Sequence, residues 1–156
     1  MEVVILPETV IINDRSFLID KYATSHYITQ YNEPCDCAYC RNYFRAIQEN
    51  FVVLDFLSKL SVNVGRPEEC MEIETNYSTK MLHYIVWYSV TGQTENSVTV
   101  NLSDDITVKI SLSSDNRLSP NTDHIDDYFW ICIDLWLPWA MDEDISKFKS
   151  SEKSLS

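Results

Sequence analysis

The chain has 156 residues, with 12 Lys and Arg against 24 Asp and Glu, which gives a formal net charge of −12 at pH 7. A charge of this sign repels nucleic acid and anionic membrane surfaces, so neither is expected as a partner. Hydrophobic residues make up 45% of the chain, which is enough for one domain with a substantial core. Because the chain has only 2 glycines, the phosphate-binding loops that require several are excluded.

The N-terminal segment, residues 1–7, has no basic flank and only a short apolar stretch, which argues against a signal peptide. No apolar run approaches the roughly 18 residues that a membrane span requires. We therefore expect a cytoplasmic protein. In that compartment the 5 cysteines, an odd number, are not expected to form a disulfide framework.

Short extended segments open the chain. The pattern predicts strands over 3–6, 10–12 and 16–20, with a turn at Asn13-Asp14. The polar and aromatic stretch over 22–33 shows no clear period and is predicted to be a loop.

Apolar residues then recur at helical spacing over 40–60, in two consecutive sets. At about 100° per residue, the two sets would lie on nearly opposite sides of one straight helix. A break at 48–50 lets each helix turn its own apolar side to the core, so we predict helices over 37–48 and 51–61. The first apolar set consists of Cys40, Phe44, Ile47 and Phe51.

The remaining segments predict strands. Residues 81–90 are apolar on both faces, which is typical of a central strand covered on both sides. Residues 98–102 and 106–112 alternate between apolar and polar, and are predicted to form a hairpin with one solvated face. A polar loop is expected over 113–127. The complete set of predicted strands in this part is 70–75, 81–90, 98–102, 106–112 and 128–139.

Helices followed by a run of strands indicate the α+β class. We predict one domain over 1–141, in which two helices pack on one face of an antiparallel sheet of about five to six strands. Residues 142–156 are charged and rich in Ser and Lys, which predicts a mobile C-terminal tail.

Three cysteines lie together in the segment Cys35-Asp36-Cys37-Ala38-Tyr39-Cys40, at the start of the first predicted helix. Thiolates at C-x-C-x-x-C spacing can converge on one soft cation, and zinc is the expected cofactor if they do. A structural zinc site requires a fourth ligand. Cys70 is the best candidate by its chemistry, ahead of His26 and His83.

Two other hypotheses account for the same cysteines. A helix N-terminus lowers the pKa of a nearby thiol, so the segment is also compatible with a thiol-dependent enzyme. Alternatively the residues have structural roles only, with Cys40 packed in the core beside Phe44, Asp36 capping the helix, and Cys35 and Cys37 in the turn before it.

The segment 35–43, with the sequence CDCAYCRNY, resembles the opening of a family of small bacterial proteins in which a C-x-C-x-x-C-R-N-Y-like motif begins a helix. The helix exit at Gly65-Arg66-Pro67, the strand over 82–88 and the closing segment LPWAMDED over 137–144 are similar too. The resemblance covers about residues 30–143 and implies a bacterial cytosolic origin and an α+β fold. The chain departs from the family at Ile85-Val86-Trp87, where the family has paired glycines before the tryptophan. The resemblance implies no activity.

Aromatic residues define a second candidate site on the last predicted strand. Tyr128, Trp130 and Trp136 share one side of that strand with Asp134, opposite its aliphatic residues. Aromatic residues interspersed with acids are typical of protein-binding surfaces, although tryptophan is also highly buried on average.

These observations favour a non-enzymatic, acidic interaction protein, for example one of the immunity or antitoxin kind, that binds a basic partner through charge complementarity. The alternatives are a zinc-stabilised domain and a thiol-dependent enzyme. No residue is assigned a catalytic role, and the oligomeric state does not follow from the sequence.

Overall fold

The computed structural model describes residues 6–26, 35–115, 120, 124 and 126–148. Within them, seven strands form one antiparallel sheet and three helices accompany it, which confirms the predicted α+β class. In chain order the elements are β1 (Glu8–Ile12), β2 (Arg15–Ile19), α1 (Lys21–Ser25), α2 (Ala38–Ala46), α3 (Phe51–Lys59), β3 (Glu69–Asn76), β4 (Met81–Gln93), β5 (Val98–Ser103), β6 (Ile106–Leu112) and β7 (Tyr128–Pro138).

The predicted strands over 10–12 and 16–20 are present as the N-terminal hairpin of β1 and β2, which joins the sheet at one end. Asn13 and Asp14 form the turn between β1 and β2 with φ values of 48° and 64°, a left-handed conformation that Asn and Asp tolerate best among residues with a side chain. Ile19 of β2 pairs with Gly92 at the far end of β4. A Cβ atom on Gly92 would lie 2.1 Å from the carbonyl oxygen of Leu18, so only glycine permits the two strands to approach this closely.

The central strand is β4. The order of strands is β1-β2-β4-β7-β6-β5, and β3 pairs with the first half of β4 on the side away from β7. Cys70 of β3 lies opposite Val86 of β4, so the two side chains share one face of the sheet.

That face packs against α2 and α3. The Tyr43 hydroxyl of α2 lies 2.5 Å from the Tyr88 hydroxyl of β4, and Asn42 donates to the Tyr84 hydroxyl at 3.2 Å. These contacts place α2 directly over β4. The residues of β4 and β7 buried on this face are Leu82, Tyr84, Val86, Tyr88, Val90, Phe129, Ile131, Ile133, Leu135 and Leu137.

The opposite side of the sheet, which we call the open face, is incompletely covered. Three of its residues on the first half of β4, His83, Ile85 and Trp87, are only half-buried. The prediction that this strand is central is therefore correct, but it is fully covered on one face and not on both. On β5 and β6 the open face carries polar residues such as Thr99 and Lys109, as expected for a hairpin with one solvated face.

The predicted break between the two helices is present as a 3₁₀ turn over Ile47–Glu49. Asn50 then caps α3, because its Oδ1 accepts a hydrogen bond from the Val53 N–H at 3.1 Å. Phe51 was expected in the apolar set of the first helix, but it begins α3 and is 73% exposed. The break rotates this residue away from the core. A second difference is α1, capped by Asp20, which begins at Lys21 and extends into the stretch 22–33 that was predicted to be a loop.

The chain beyond β7 returns to α2. The Trp139 indole donates to the Glu143 carbonyl at 2.7 Å, Ile145 is buried, and the Phe148 ring lies 6.3 Å from that of Tyr39. The predicted tail therefore begins with residues that pack on the domain. Residues 149–156 lie outside the described part of the chain, as do residues 3–5 of the first predicted strand. No helix in the described residues is both long and apolar enough to cross a membrane.

Candidate metal centre

Backbone hydrogen bonds at the start of α2 position the first three cysteines. The N-cap is Cys37, whose Sγ accepts a hydrogen bond from the Cys40 N–H at 3.4 Å. Cys35 Sγ in turn accepts one from the Cys37 N–H at 3.4 Å. The prediction that Asp36 caps this helix is therefore wrong, and the Asp36 carboxylate lies 3.7 Å from Arg41 instead. The turn thus directs two exposed sulfur atoms to the side where the buried Cys40 lies.

The three sulfur atoms form a compact cluster. The Sγ atoms of Cys35, Cys37 and Cys40 all lie within 4.8 Å of one another. In a tetrahedral zinc site with Zn–S bonds of about 2.3 Å, the sulfur atoms are about 3.8 Å apart. A shift of about 1 Å or less per pair would therefore bring these atoms to the required separation. The cluster can hold a metal ion.

Cys70 supplies a fourth sulfur next to the cluster. It lies on β3, on the face of the sheet that α2 covers, and it is half-buried. Its thiol interacts with that of Cys40 strongly enough to raise the pKa of Cys40, but the group of sulfur atoms that lie within 4.8 Å of one another does not include Cys70. The pairing of β3 with β4 thus brings a residue 30 positions further along the chain against the first turn of α2.

The cysteine thiols differ in acidity according to their surroundings. The Cys37 N–H lowers the pKa of exposed Cys35, because this hydrogen bond favours the thiolate. Although the Cys37 residue as a whole is exposed, partial burial of its thiol raises the pKa of Cys37 to about 11. The hydrogen bond to Cys70, followed by burial, raises the pKa of Cys40 well above its ordinary range. Without a cation, Cys37 and Cys40 therefore stay protonated near neutral pH, whereas a bound divalent cation would stabilise their thiolate forms.

Neither histidine considered as a fourth ligand lies at the cluster. His83 is on the open face, on the other side of the sheet from Cys70, where its Nε2 lies 2.7 Å from Asp134 Oδ1. His26 follows α1 and stacks on Tyr22 with the ring centroids 4.1 Å apart. Of the three candidates, Cys70 alone is brought to the other cysteines.

The predicted interaction residues of β7 have unequal exposure. Trp136 is 37% exposed and stacks on the His83 ring, and Asp134 is exposed as well. Tyr128 is half-buried, whereas Trp130 is completely buried and contacts Tyr128 edge to face. Trp130 therefore supports this face from within and cannot itself contact a partner.

The cover over Trp130 includes a residue that the sequence analysis did not single out. His124 stacks on Tyr128 and its Nε2 lies 2.8 Å from the Ser89 hydroxyl, which also donates to Glu68 at 2.9 Å. Ser89 and Glu68 are both buried. A serine in the middle of the long apolar strand was the one signal in the sequence that a polar residue from elsewhere would pack there.

Comparison of the chain with protein-family models, with curated proteins and with solved structures finds no match.

Proposed function

We propose that Cys35, Cys37, Cys40 and Cys70 bind one zinc ion that stabilises the fold by joining α2 to β3. The observation that carries the proposal is the cluster of three sulfur atoms within 4.8 Å of one another. Cys70 is proposed as the fourth ligand because it lies on the face of the sheet that α2 covers and its thiol influences the pKa of Cys40. Four thiolates are a donor set that structural zinc sites use, because they occupy every position of the tetrahedron and leave none for a substrate.

The location of the cluster supports a structural role. Among the described strands, β3 pairs with β4 alone, so it is an edge strand held by hydrogen bonds on one side. A metal bound by Cys70 and by the start of α2 would hold this strand to a helix as well. It would also close a loop of about 30 residues between Cys40 and Cys70, which restricts the unfolded chain. Because the complete site is absent from the unfolded chain, the free energy of metal binding contributes to folding.

Metal content and thiol accessibility test the proposal together. The protein is purified without chelator, its zinc content is measured, and its reactive thiols are counted with Ellman's reagent before and after chelation. We expect one zinc ion per chain and four thiols that become reactive only when the metal is removed. Cys132→Ser is the matched control, since Cys132 lies on the open face and should not affect the zinc content. Metal-free protein that also fails to bind added zinc would refute the proposal.

Labelling of the thiols also distinguishes this proposal from the hypothesis of a thiol-dependent enzyme. In the metal-free protein, Cys35 should be alkylated first by iodoacetamide, because its pKa is lowered by the Cys37 N–H and its side chain is exposed. If the cysteine cluster is a zinc site, added zinc abolishes this reaction. Rapid alkylation that zinc does not slow would favour thiol chemistry.

A second candidate function is binding of a basic protein partner in the cytoplasm. It is supported by the charge of −12 and by two large side chains exposed on the open face, Met71 and Trp136. The bacterial origin implied by the family resemblance belongs to the same proposal. Trp136→Ala should weaken binding to such a partner and Asp134→Asn should reduce its dependence on salt. If calorimetry gives both variants and the wild type the same affinity for the partner, the open face is excluded as the binding site.

A further inference from the structure

A groove on the helix side of the molecule lies between β1, α3 and β5. Its volume is about 520 Å³, and it is lined by Ile11, Asn13, Phe51, Val52, Asp55 and Leu102, among others. The groove exists because the sheet is strongly curved. The two strands at opposite ends of the sheet order, β1 and β5, both border the same helix.

The groove concentrates exposed apolar surface. Phe51 is 73% exposed, Ile11 is 68% exposed and Val52 is 45% exposed, and all three line it. Large apolar side chains that are exposed singly are normal on a protein surface, but three around one groove mark an interaction site. None of the three is held in place by burial, so their positions are not explained by packing of the core.

The walls of the groove favour an extended ligand. Within the described residues, β1 pairs only with β2 and β5 pairs only with β6. Each of these strands therefore has an outer side whose N–H and C=O groups have no strand partner in the described structure. An extended segment can add to such an edge through backbone hydrogen bonds, while its alternate side chains enter the groove.

Charge indicates which segment fits. The groove wall itself is neutral, because it carries Asp55 and Lys59, which are paired at 3.2 Å. The turns that adjoin the groove carry exposed Asp14, Asp104 and Asp105, and this surplus of acids at its rim matches the charge of −12 on the whole chain. A second copy of the chain would bring the same negative charge and be repelled, whereas Lys or Arg beside the groove would be attracted.

From these contacts we infer that the groove binds an extended segment of a partner protein in which apolar residues alternate with Lys or Arg, by addition of that segment to the edge of β1 or β5. The inference does not depend on zinc, because the residues that line the groove do not include any of the proposed zinc ligands.

The test uses a synthetic peptide, acetyl-Lys-Val-Lys-Val-Lys-Val-amide, titrated into the full-length ¹⁵N-labelled protein. We expect saturable amide shifts in β1, α3 and β5 with a dissociation constant of about 1 mM or lower. The same peptide with Glu in place of Lys, or with Pro at the central Val, should bind at least about tenfold more weakly. Phe51→Ser should reduce affinity by about tenfold without unfolding the protein, because this side chain is mostly exposed. Ile73→Ser is the control and should bind normally, because Ile73 is an exposed apolar residue of β3 that does not line the groove.

Several results would overturn the inference. These are the absence of saturable shifts, equal binding of the Lys and Glu peptides, or shifts confined to β3 and the open face. Dimer formation abolished by Phe51→Ser in sedimentation would identify a second copy as the occupant instead. If a variant lacking 149–156 binds the peptide and the full chain does not, the chain's own C-terminal segment is the occupant of the groove.

Discussion

Replacement of Cys70 by Ser shows whether Cys70 is a metal ligand or only a packing residue. Cys70 is half-buried, and serine keeps a group that can hydrogen-bond to Cys40. In the absence of metal the substitution should therefore cost only about 1 kcal/mol, the usual effect of altering one partly buried hydrogen bond. In the presence of zinc it removes one of four ligands, and most of the stabilisation by the metal should be lost with it.

The size of that loss follows from mass action. Zinc at about 1,000 times its dissociation constant stabilises the folded state by about 4 kcal/mol. For a domain of this length, 1 kcal/mol corresponds to about 2–4 °C in melting temperature. Chelation should thus lower the melting temperature of the wild type by about 8–16 °C, and that of Cys70→Ser by less than about 4 °C.

The assay is thermal unfolding followed by circular dichroism, with zinc and then with excess chelator, on the wild type, Cys70→Ser and Cys132→Ser. Cys132→Ser should respond to chelator as the wild type does, because Cys132 lies on the other side of the sheet from the cluster. Equal chelator effects on all three proteins, or none on the wild type, would refute the reasoning.

Three further predictions concern the fold. Gly92→Ala should destabilise the protein by about 3 kcal/mol or more in urea unfolding, because its Cβ would lie 2.1 Å from a backbone oxygen of β2; a loss under about 1 kcal/mol would contradict the pairing of β2 with β4. Tyr88→Phe should lower the free energy of unfolding by about 1–2 kcal/mol more than Tyr43→Phe does. The reason is that the Tyr88 hydroxyl donates to a loop carbonyl at 2.8 Å and also contacts Tyr43. Equal losses of stability in the two variants would contradict this hydrogen-bond network. Burial raises the pKa of Cys132 from 9.0 to about 11, so this thiol contributes stability at low pH that is lost as the pH rises from about 9 through about 11. Because the Cys132 side chain is partly exposed, the expected loss of stability is on the order of 1 kcal/mol. The measurement compares the unfolding midpoints of the wild type and Cys132→Ala between about pH 9 and about pH 11, and the loss should be absent in the variant.

Local patterns were sufficient to predict most of the elements. The two opposed apolar sets over 40–60 required a break, and the structure places a 3₁₀ turn at Ile47–Glu49. Strict alternation over 128–138 correctly identified the buried face of β7. These features depend on the periods of helix and strand, which can be read from neighbouring residues.

Features that depend on distant contacts could not be predicted in the same way. Phe51 has the spacing of a core residue, and its exposure follows from the angle between two helices. Trp130 belongs to a face that is otherwise partly exposed, and it is buried because His124 and Tyr128 cover that end of the sheet. The groove beside α3 depends on the curvature of the whole sheet, which no local pattern specifies.

The candidate metal site lies between these two cases. The C-x-C-x-x-C spacing and the chemistry of sulfur were enough to nominate Cys35, Cys37, Cys40 and Cys70. The position of Cys70 depends on the register of β3 against β4, because a shift of one residue would turn its side chain to the open face.

X-ray absorption at the zinc edge of the metal-loaded protein tests the central claim most directly, because it counts the atoms bound to the metal and identifies their type. Four thiolate ligands predict a first shell of four sulfur atoms at about 2.3 Å, reduced to three sulfur atoms and one oxygen or nitrogen in Cys70→Ser. A wild-type shell dominated by oxygen or nitrogen at about 2.0–2.1 Å would contradict the assignment of these cysteines as a zinc site.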